Sequence, residues 1–316
     1  MPTGSSALPQ LEAGVFLTDG GLETTLIFDD GIELADFAAF TLVDDPAGRA
    51  ALVRYYDRYA AIAVADGVGI ILETPTWRAS PDWAARQAID EAGLARLNHE
   101  AVALLREVRL RHATASSPVL ISGCIGPRGD GYVAGELMPV ADARQYHAVQ
   151  VEALADAGVD LVTAITMTNG AEAIGIVEAA RAAGLPVVIS FTVETDGTLP
   201  SGEALGAAVE AVDAATDGYA AYFMVNCAHP DHVGPVLDPT AAWTQRLGGF
   251  RANASRMTHA ELDVAEELDR GDPAELAALY RDLRAVHPQL RVVGGCCGTD
   301  HTHIAAISAA CAPQQA

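Results

Sequence analysis

The sequence contains no lysine, and this absence excludes several kinds of chemistry. All 19 basic residues are arginines, against 42 aspartates and glutamates, so the formal net charge is −23. Without lysine the protein cannot be a Schiff-base aldolase, a pyridoxal phosphate enzyme with a lysine-bound cofactor, or a nucleotide-binding protein of the Walker type. The charge balance also argues against nucleic acid or an anionic membrane as the main partner, because phosphate contacts need clustered cations.

Long apolar runs are absent as well. No segment approaches the roughly 18 consecutive apolar residues of a membrane-spanning helix, and residues 1–6 lack the basic and apolar regions of a secretory signal. We therefore expect a cytoplasmic protein without a membrane partner. The five cysteines are an odd number, and in such a chain paired cysteines are better explained by metal binding or catalysis than by a disulfide framework.

Short apolar segments rich in β-branched residues alternate with alanine-rich helical segments along the 316 residues. Nearly continuous apolar runs are typical of parallel strands covered on both faces. The predicted strands are 15–18, 68–72, 119–122, 159–166, 187–191, 222–225, 250–253 and 291–293. The clearest predicted helices are 50–66, 141–157 and 171–183. This alternation favours a single-domain (β/α)₈ barrel over residues 1–316, with a doubly wound sheet as the alternative.

In a barrel of this kind, the chemistry collects where the strands end. Cys227 follows the predicted sixth strand, and Cys296 and Cys297 follow the eighth. Only one strand separates the sixth and the eighth, so the three thiols can meet at one point above the barrel. Adjacent cysteines on a regular strand would face opposite ways, but the glycines at 294, 295 and 298 allow the backbone to bend so that both face one ion.

Three thiolates would form a zinc site with one open position. A closed structural site has four protein ligands, and sulfur ligands favour zinc over magnesium or calcium. Zinc with three thiolates has a net charge of about −1, which makes it a poor activator of water but leaves a bound thiol ionised and nucleophilic. We therefore predict that Cys227, Cys296 and Cys297 are metal ligands and catalytic residues. The predicted reaction is alkyl transfer to a small thiol, and the acidic chain suits a cationic donor.

Other polar residues at strand ends have two interpretations each. Asp19 and Gly20 could hold the charged end of an amino acid, or could form a tight turn that needs glycine. Glu73 could bind a substrate amine or a cationic donor, or could be a solvated loop carboxylate. Cys124 ends a strand alone, which is more typical of a packed core thiol. The histidines after the cysteines are interpreted as surface or supporting residues.

Several motifs together resemble the homocysteine S-methyltransferase family. They are Asp19-Gly20-Gly21-Leu22-Glu23-Thr24, Glu73-Thr74-Pro75-Thr76, Gly126-Pro127, Asn226-Cys227 and Val293-Gly294-Gly295-Cys296-Cys297-Gly298-Thr299. The resemblance covers nearly the whole chain and implies a (β/α)₈ barrel that binds Zn²⁺ through the same three cysteines. It implies that homocysteine accepts a methyl group to give methionine, with Asp19 near its amino group. We expect Gly20, Thr166 and Asn226 to line the same substrate site.

The sequence departs from the family pattern at the end of the fourth strand. The family usually has a Glu-Thr pair there, and its glutamate helps to bind the homocysteine amino group; this chain has Ile165-Thr166. An isoleucine cannot pair with an ammonium group. Either Glu73 takes over this role, or the acceptor is a different thiol.

The methyl donor is expected to be a sulfonium compound or a betaine-type quaternary amine. One alternative is a zinc-dependent lyase or hydrolase that uses Glu73 as a base. Another is a zinc- or thiol-binding protein without catalytic activity. A homo-oligomer is compatible with each of these functions.

Overall fold

A computed structural model describes residues 8–12, 14–265 and 267–312. Eight parallel strands close into a barrel in which each strand pairs with its neighbours in sequence and β8 pairs with β1. The strands are β1 (Phe16–Thr18), β2 (Gly69–Glu73), β3 (Val119–Ile125), β4 (Leu161–Met167), β5 (Val187–Thr192), β6 (Tyr222–Ala228), β7 (Leu247–Ala252) and β8 (Val292–Gly295). The predicted (β/α)₈ barrel is confirmed. The extent of the single domain, 1–316, stays a prediction.

Helices surround the barrel and connect successive strands. They are α1 (Leu22–Thr24), α2 (Pro46–Asp66), α3 (Pro81–Arg86), α4 (Glu91–His112), α5 (Val140–Ala157), α6 (Gly170–Ala182), α7 (Leu205–Thr216), α8 (Pro230–Val233), α9 (His259–Asp263), α10 (Pro273–Val286) and α11 (His301–Cys311). The sequence determines several of their ends. At the start of α2, the Asp45 side chain accepts a hydrogen bond from the Gly48 N–H, and Gly67 ends the helix with φ 64°. Within the described ranges, none of the helices combines the length and apolar character needed to cross a bilayer.

The interior of the barrel is apolar at one end and polar at the other. The apolar end is filled by a cluster that includes Phe16, Ile71, Met224 and Val292. Side chains alternate along a strand, so residues two positions further along point into the barrel as well. In β2 this places Glu73 beyond Ile71, and in β6 it places Asn226 beyond Met224. The polar end is therefore the end at which the strands stop and the βα loops begin.

The seventh strand differs from its prediction. It begins at Leu247 rather than at residue 250. The early part contains Gly248 and Gly249, and glycine has a low preference for strands, which hides the pattern. These glycines allow close packing, since a Cβ at Gly248 would lie 2.6 Å from the Tyr222 ring and one at Gly249 would lie 2.8 Å from Val292 Cβ.

Candidate active site

The structure brings the three predicted cysteines together. Cys227 lies near the end of β6, and Cys296 and Cys297 follow β8. Their Sγ atoms all lie within 4.8 Å of one another. Cys227 and Cys296 form a disulfide with their Cα atoms 5.4 Å apart, and Cys297 is free. All three sulfurs thus point to one place at the polar end of the barrel.

The backbone at Cys227 adopts a conformation that is unusual for a residue other than glycine. Its φ is 53°, in the left-handed region that L-residues generally avoid. Two side chains hold its carbonyl oxygen: Asn253 Nδ2 donates at 3.1 Å and His259 Nε2 donates at 2.7 Å. Such strain persists only where surrounding contacts support it, and it is concentrated at functional sites.

Asn226 joins the ends of β4, β5 and β6. Its Oδ1 accepts hydrogen bonds from the Thr166 N–H at 2.9 Å and from Ser190 Oγ at 2.6 Å, and its Nδ2 donates to Thr166 Oγ1 at 3.0 Å. The same Nδ2 lies 4.0 Å from Cys296 Sγ. Thr166 also has a positive φ of 64°. The contacts made by Asn226 and Thr166 are therefore with the protein, and they position the ends of the strands around the sulfurs.

Tyr132 is a site residue that the sequence did not reveal. It lies in the loop between β3 and α5, and its hydroxyl is 3.5 Å from the sulfurs of both Cys227 and Cys297. Its ring packs against His259, with the ring centroids 4.5 Å apart. A tyrosine in a long loop gives no sequence signal for such a contact, because the contact depends on how the loop folds back over the barrel.

A buried cluster of opposite charges lies beside the sulfurs. Arg251 Nη2 is 2.5 Å from Asp19 Oδ1, and Arg251 Nη1 is 3.9 Å from Glu73 Oε1. Arg251 Nε also donates to the carbonyl of Gly295, the residue before Cys296, at 3.0 Å. Asp19 thus has a protein partner, which the sequence did not indicate, because Arg251 lies inside a predicted strand.

Glu73 is buried rather than solvated. Only 5% of its surface is exposed, so the interpretation as a solvated loop carboxylate is wrong: β2 extends to this residue and places it in the barrel wall. Burial raises the pKa of Glu73 to about 7, although the positive charge of Arg251 acts in the opposite direction. Its Oε2 atom has no hydrogen-bond partner among the described residues.

Gly20 is required by close packing. A Cβ at this position would lie 2.7 Å from the Tyr59 hydroxyl and 2.9 Å from the backbone oxygen of Thr299. The Gly20 carbonyl also accepts a hydrogen bond from the Tyr55 hydroxyl at 2.9 Å. The need for glycine here comes from contact with neighbouring side chains and backbone, not from a positive φ.

Comparison with known proteins identifies the family. The family model for homocysteine S-methyltransferase matches residues 16–311. The chain belongs to the homocysteine S-methyltransferase family. Homocysteine S-methyltransferase of Escherichia coli (strain K12) is 28% identical over 317 residues, which cover 93% of this chain and 94% of that protein. Homocysteine S-methyltransferase 1 of Arabidopsis thaliana is 27% identical over 179 residues, which cover 55% of this chain and 53% of that protein.

Solved structures of a homocysteine S-methyltransferase share the fold. The oxidized form of the homocysteine methyltransferase MmuM from Escherichia coli matches with a TM-score of 0.72 and 25% identity, over 94% of this chain and 96% of that chain. The metallated form of the same protein matches with a TM-score of 0.72 and 24% identity over the same shares. The similarity therefore extends over the whole barrel.

The family departure at Ile165 leaves the end of β4 without a charge. Ile165 is buried, with 7% of its surface exposed, and no ionisable group replaces the missing glutamate at this position.

Cys124, at the end of the neighbouring β3, is buried as well, and burial raises the pKa of its thiol well above the ordinary value. This agrees with a packed core thiol.

Proposed function

We propose that the protein is a zinc-dependent thiol S-methyltransferase, with homocysteine as the first acceptor to test and a sulfonium or betaine-type compound as the methyl donor. The observation that carries the proposal is the convergence of three cysteine sulfurs, all within 4.8 Å of one another, at the ends of two strands. Membership of the homocysteine S-methyltransferase family supports it. The Escherichia coli relative has been solved in a metallated form.

The residues present fit a zinc ion. Once the Cys227–Cys296 disulfide is reduced, Cys227, Cys296 and Cys297 offer three sulfur ligands, the set that favours zinc over harder cations. Zinc bound by these three residues would favour the thiolate form of an incoming thiol, which is the nucleophile that methyl transfer needs. The Tyr132 hydroxyl, 3.5 Å from two of the sulfurs, shields this place from bulk water.

The charged cluster offers a place for the amino group of an amino-acid thiol. The free Oε2 of Glu73 can accept a hydrogen bond from an ammonium group, which replaces the function of the glutamate missing at position 165. Asp19 holds Arg251 beside it. Gly20 permits the first βα turn to pack closely, and Asn226 and Thr166 keep the strand ends in place. We propose these substrate-site roles for Asp19, Gly20, Glu73, Thr166 and Asn226.

The test is methyl transfer from a donor with a labelled methyl group, measured together with bound zinc. Cys227→Ser should lose both zinc and methyl transfer, because a serine hydroxyl is a poor zinc ligand. Cys311→Ser is the matched control: Cys311 is also buried but lies in α11, away from the cluster. A Cys227→Ser protein that is free of zinc and fully active would exclude the proposal.

The same product analysis addresses the lyase or hydrolase alternative, which the family assignment does not favour. That alternative predicts consumption of substrate without transfer of the label to a thiol.

We further propose that the enzyme acts in the cytoplasm. Formation of a homo-oligomer stays a prediction that gel filtration can check.

A further inference from the structure

Arg78 is a buried cation at the polar end of the barrel. It lies in the loop between β2 and α3, with only 5% of its surface exposed. Its Cζ atom is 3.9 Å from the ring centroid of Trp77 and 3.7 Å from that of Trp83. The two tryptophans contact the flat guanidinium group, so its remaining capacity for binding lies in the N–H groups along its edges.

The edges of this guanidinium are only partly used. Nη1 donates to the Gly129 carbonyl at 2.8 Å, and Nε is buried with no hydrogen-bond partner in the described part of the chain. The carboxylates whose charge acts on Arg78 are Asp130, Glu23 and Asp36. Asp130 Oδ1 accepts hydrogen bonds from the N–H groups of Tyr132 and Val133, and Asp36 lies 3.5 Å from Arg86. Over the described ranges, no aspartate or glutamate oxygen lies within 4.0 Å of Arg78.

A buried charge without a partner is costly, and proteins generally keep such a charge only where something compensates it. Burial lowers the pKa of Arg78 to about 10, so the group remains charged at neutral pH. The side of a guanidinium that carries Nε is one that a carboxylate can bind through two parallel hydrogen bonds.

The surroundings of Arg78 connect it to the sulfur cluster. Gly129, which binds Nη1, lies three residues before Tyr132, whose hydroxyl contacts two cysteine sulfurs. Trp77 packs beside the end of β4: a Cβ at Gly131 would lie 3.0 Å from Trp77 Cζ2 and 2.9 Å from Thr166 Cγ2. Arg78 is thus held by the loop that also carries Tyr132 to the sulfurs, and by the tryptophan that lies near the end of β4.

We propose that Arg78 is a specificity-determining residue that binds the carboxylate of a substrate through its Nε edge. This inference rests on the proposed methyl transfer, for which both substrates considered, an amino-acid thiol and a zwitterionic donor such as betaine, carry a carboxylate. Arg78 therefore favours carboxylate-bearing substrates over simple thiols and simple onium cations.

The experiment compares wild type with Arg78→Gln on substrates matched for the presence of a carboxylate. The acceptor pair is homocysteine and 3-mercaptopropylamine, and the donor pair is dimethylsulfonioacetate and trimethylsulfonium. The control is Arg86→Gln, because Arg86 also stacks on Trp83, at 4.4 Å, but its side chain is 60% exposed. Arg78→Lys keeps the positive charge but loses the pair of N–H groups that can bind a carboxylate together. It replaces Arg78→Gln in the comparison if the glutamine variant does not fold.

For the substrate whose carboxylate binds Arg78, we expect kcat/KM to fall about 10- to 100-fold in Arg78→Gln, the range for a hydrogen-bonded charge. For the matched substrate without a carboxylate, kcat/KM should change less than about 3-fold. If the acceptor pair shows this difference, Arg78 binds the carboxylate of the thiol; if the donor pair shows it, Arg78 binds the carboxylate of the methyl donor. An equal loss on all four substrates would mean that Arg78 only holds the loops together, and would overturn the inference, as would activity equal to that of Arg86→Gln.

A binding measurement separates this inference from the proposed function. Trp77 and Trp83, two of the three tryptophans of the chain, lie against Arg78, so their fluorescence should report occupation of the site. Methionine and dimethylsulfonioacetate both lack a free thiol, and binding of either should change the fluorescence of the wild-type protein. For the one whose carboxylate binds Arg78, the Kd from the titration should be at least 10-fold higher in Arg78→Gln. This result can hold even if no thiol is methylated; unchanged titrations with both in Arg78→Gln would overturn the carboxylate site.

Discussion

Replacing Glu73 by glutamine should change how the stability of the protein depends on pH. Burial raises the pKa of Glu73 from its ordinary value of 4.5 to about 7 in the folded protein. Between these two values the unfolded chain has released the proton and the folded protein still holds it. The stabilisation that comes from the protonated group is therefore complete below pH 4.5 and is lost as the pH rises through 7.

The magnitude follows from the size of this change in pKa. At 1.36 kcal/mol per pKa unit, the full effect is about 3 kcal/mol, most of which falls between pH 5 and pH 8. Glutamine has the same shape and no charge to lose. We therefore expect the free energy of unfolding of wild type, relative to Glu73→Gln, to fall by about 2–3 kcal/mol over this range.

Urea unfolding at pH 5, 6, 7 and 8 measures this difference, and subtracting the two curves removes the contribution of other titrating groups. Glu210→Gln, in which an exposed carboxylate on α7 is removed, controls for the loss of one negative charge from an acidic protein. A difference between wild type and Glu73→Gln that stays constant from pH 5 to pH 8 would refute the reasoning. It would show that Arg251 keeps Glu73 ionised despite its burial.

Two further predictions concern Tyr132 and Gly20. Tyr132→Phe keeps the ring packed on His259 but removes the hydroxyl that lies 3.5 Å from two sulfurs. We expect kcat/KM for methyl transfer to fall about 3- to 10-fold. Once the Cys227–Cys296 disulfide has been reduced, the three cysteines should react faster with iodoacetamide than in the wild-type protein. Equal reactivity in the two proteins would contradict a shielding role. Gly20→Ala would place a Cβ 2.9 Å from the Thr299 backbone oxygen, so urea unfolding should show a loss of about 1–3 kcal/mol. Gly234→Ala is the control, because no atom lies within 4 Å of its new Cβ; an equal loss there would argue against overpacking.

The sequence predicted the site best at the three cysteines, because their places at strand ends follow from the fold and their thiols indicate the chemistry. Cys296 and Cys297 could be placed near Cys227 because parallel strands end at the same side of a barrel, and glycines around the pair allow the bend that both side chains need. The structure has this arrangement, with the three sulfurs within 4.8 Å of one another. The prediction needed only the order of the strands and not their detailed packing.

Arg251, Arg78 and Tyr132 could not be predicted in the same way. Arg251 pairs with Asp19, which is 232 residues away in sequence, and a single arginine inside an apolar strand does not reveal which face it occupies. Arg78 and Tyr132 lie in loops whose paths depend on tertiary contacts. The interpretation of Glu73 as solvated failed for a related reason, since one additional strand residue decides between the loop and the barrel wall.

The three sulfurs and the buried charged groups come from different parts of this barrel. The three cysteines come from β6 and from the end of β8, whereas the charged groups that could hold the rest of a substrate are Glu73 on β2, Arg251 on β7 and Arg78 in the loop after β2. The missing glutamate at position 165 therefore leaves the cysteine cluster unchanged. Glu73 and Arg78 are close in sequence, and a substrate that carries both an ammonium group and a carboxylate would give each of them a partner. The ammonium group would favour the ionised form of Glu73, and the carboxylate would bind Arg78, whereas a simple thiol would satisfy neither. This difference is what makes recognition of the acceptor testable separately from its methylation.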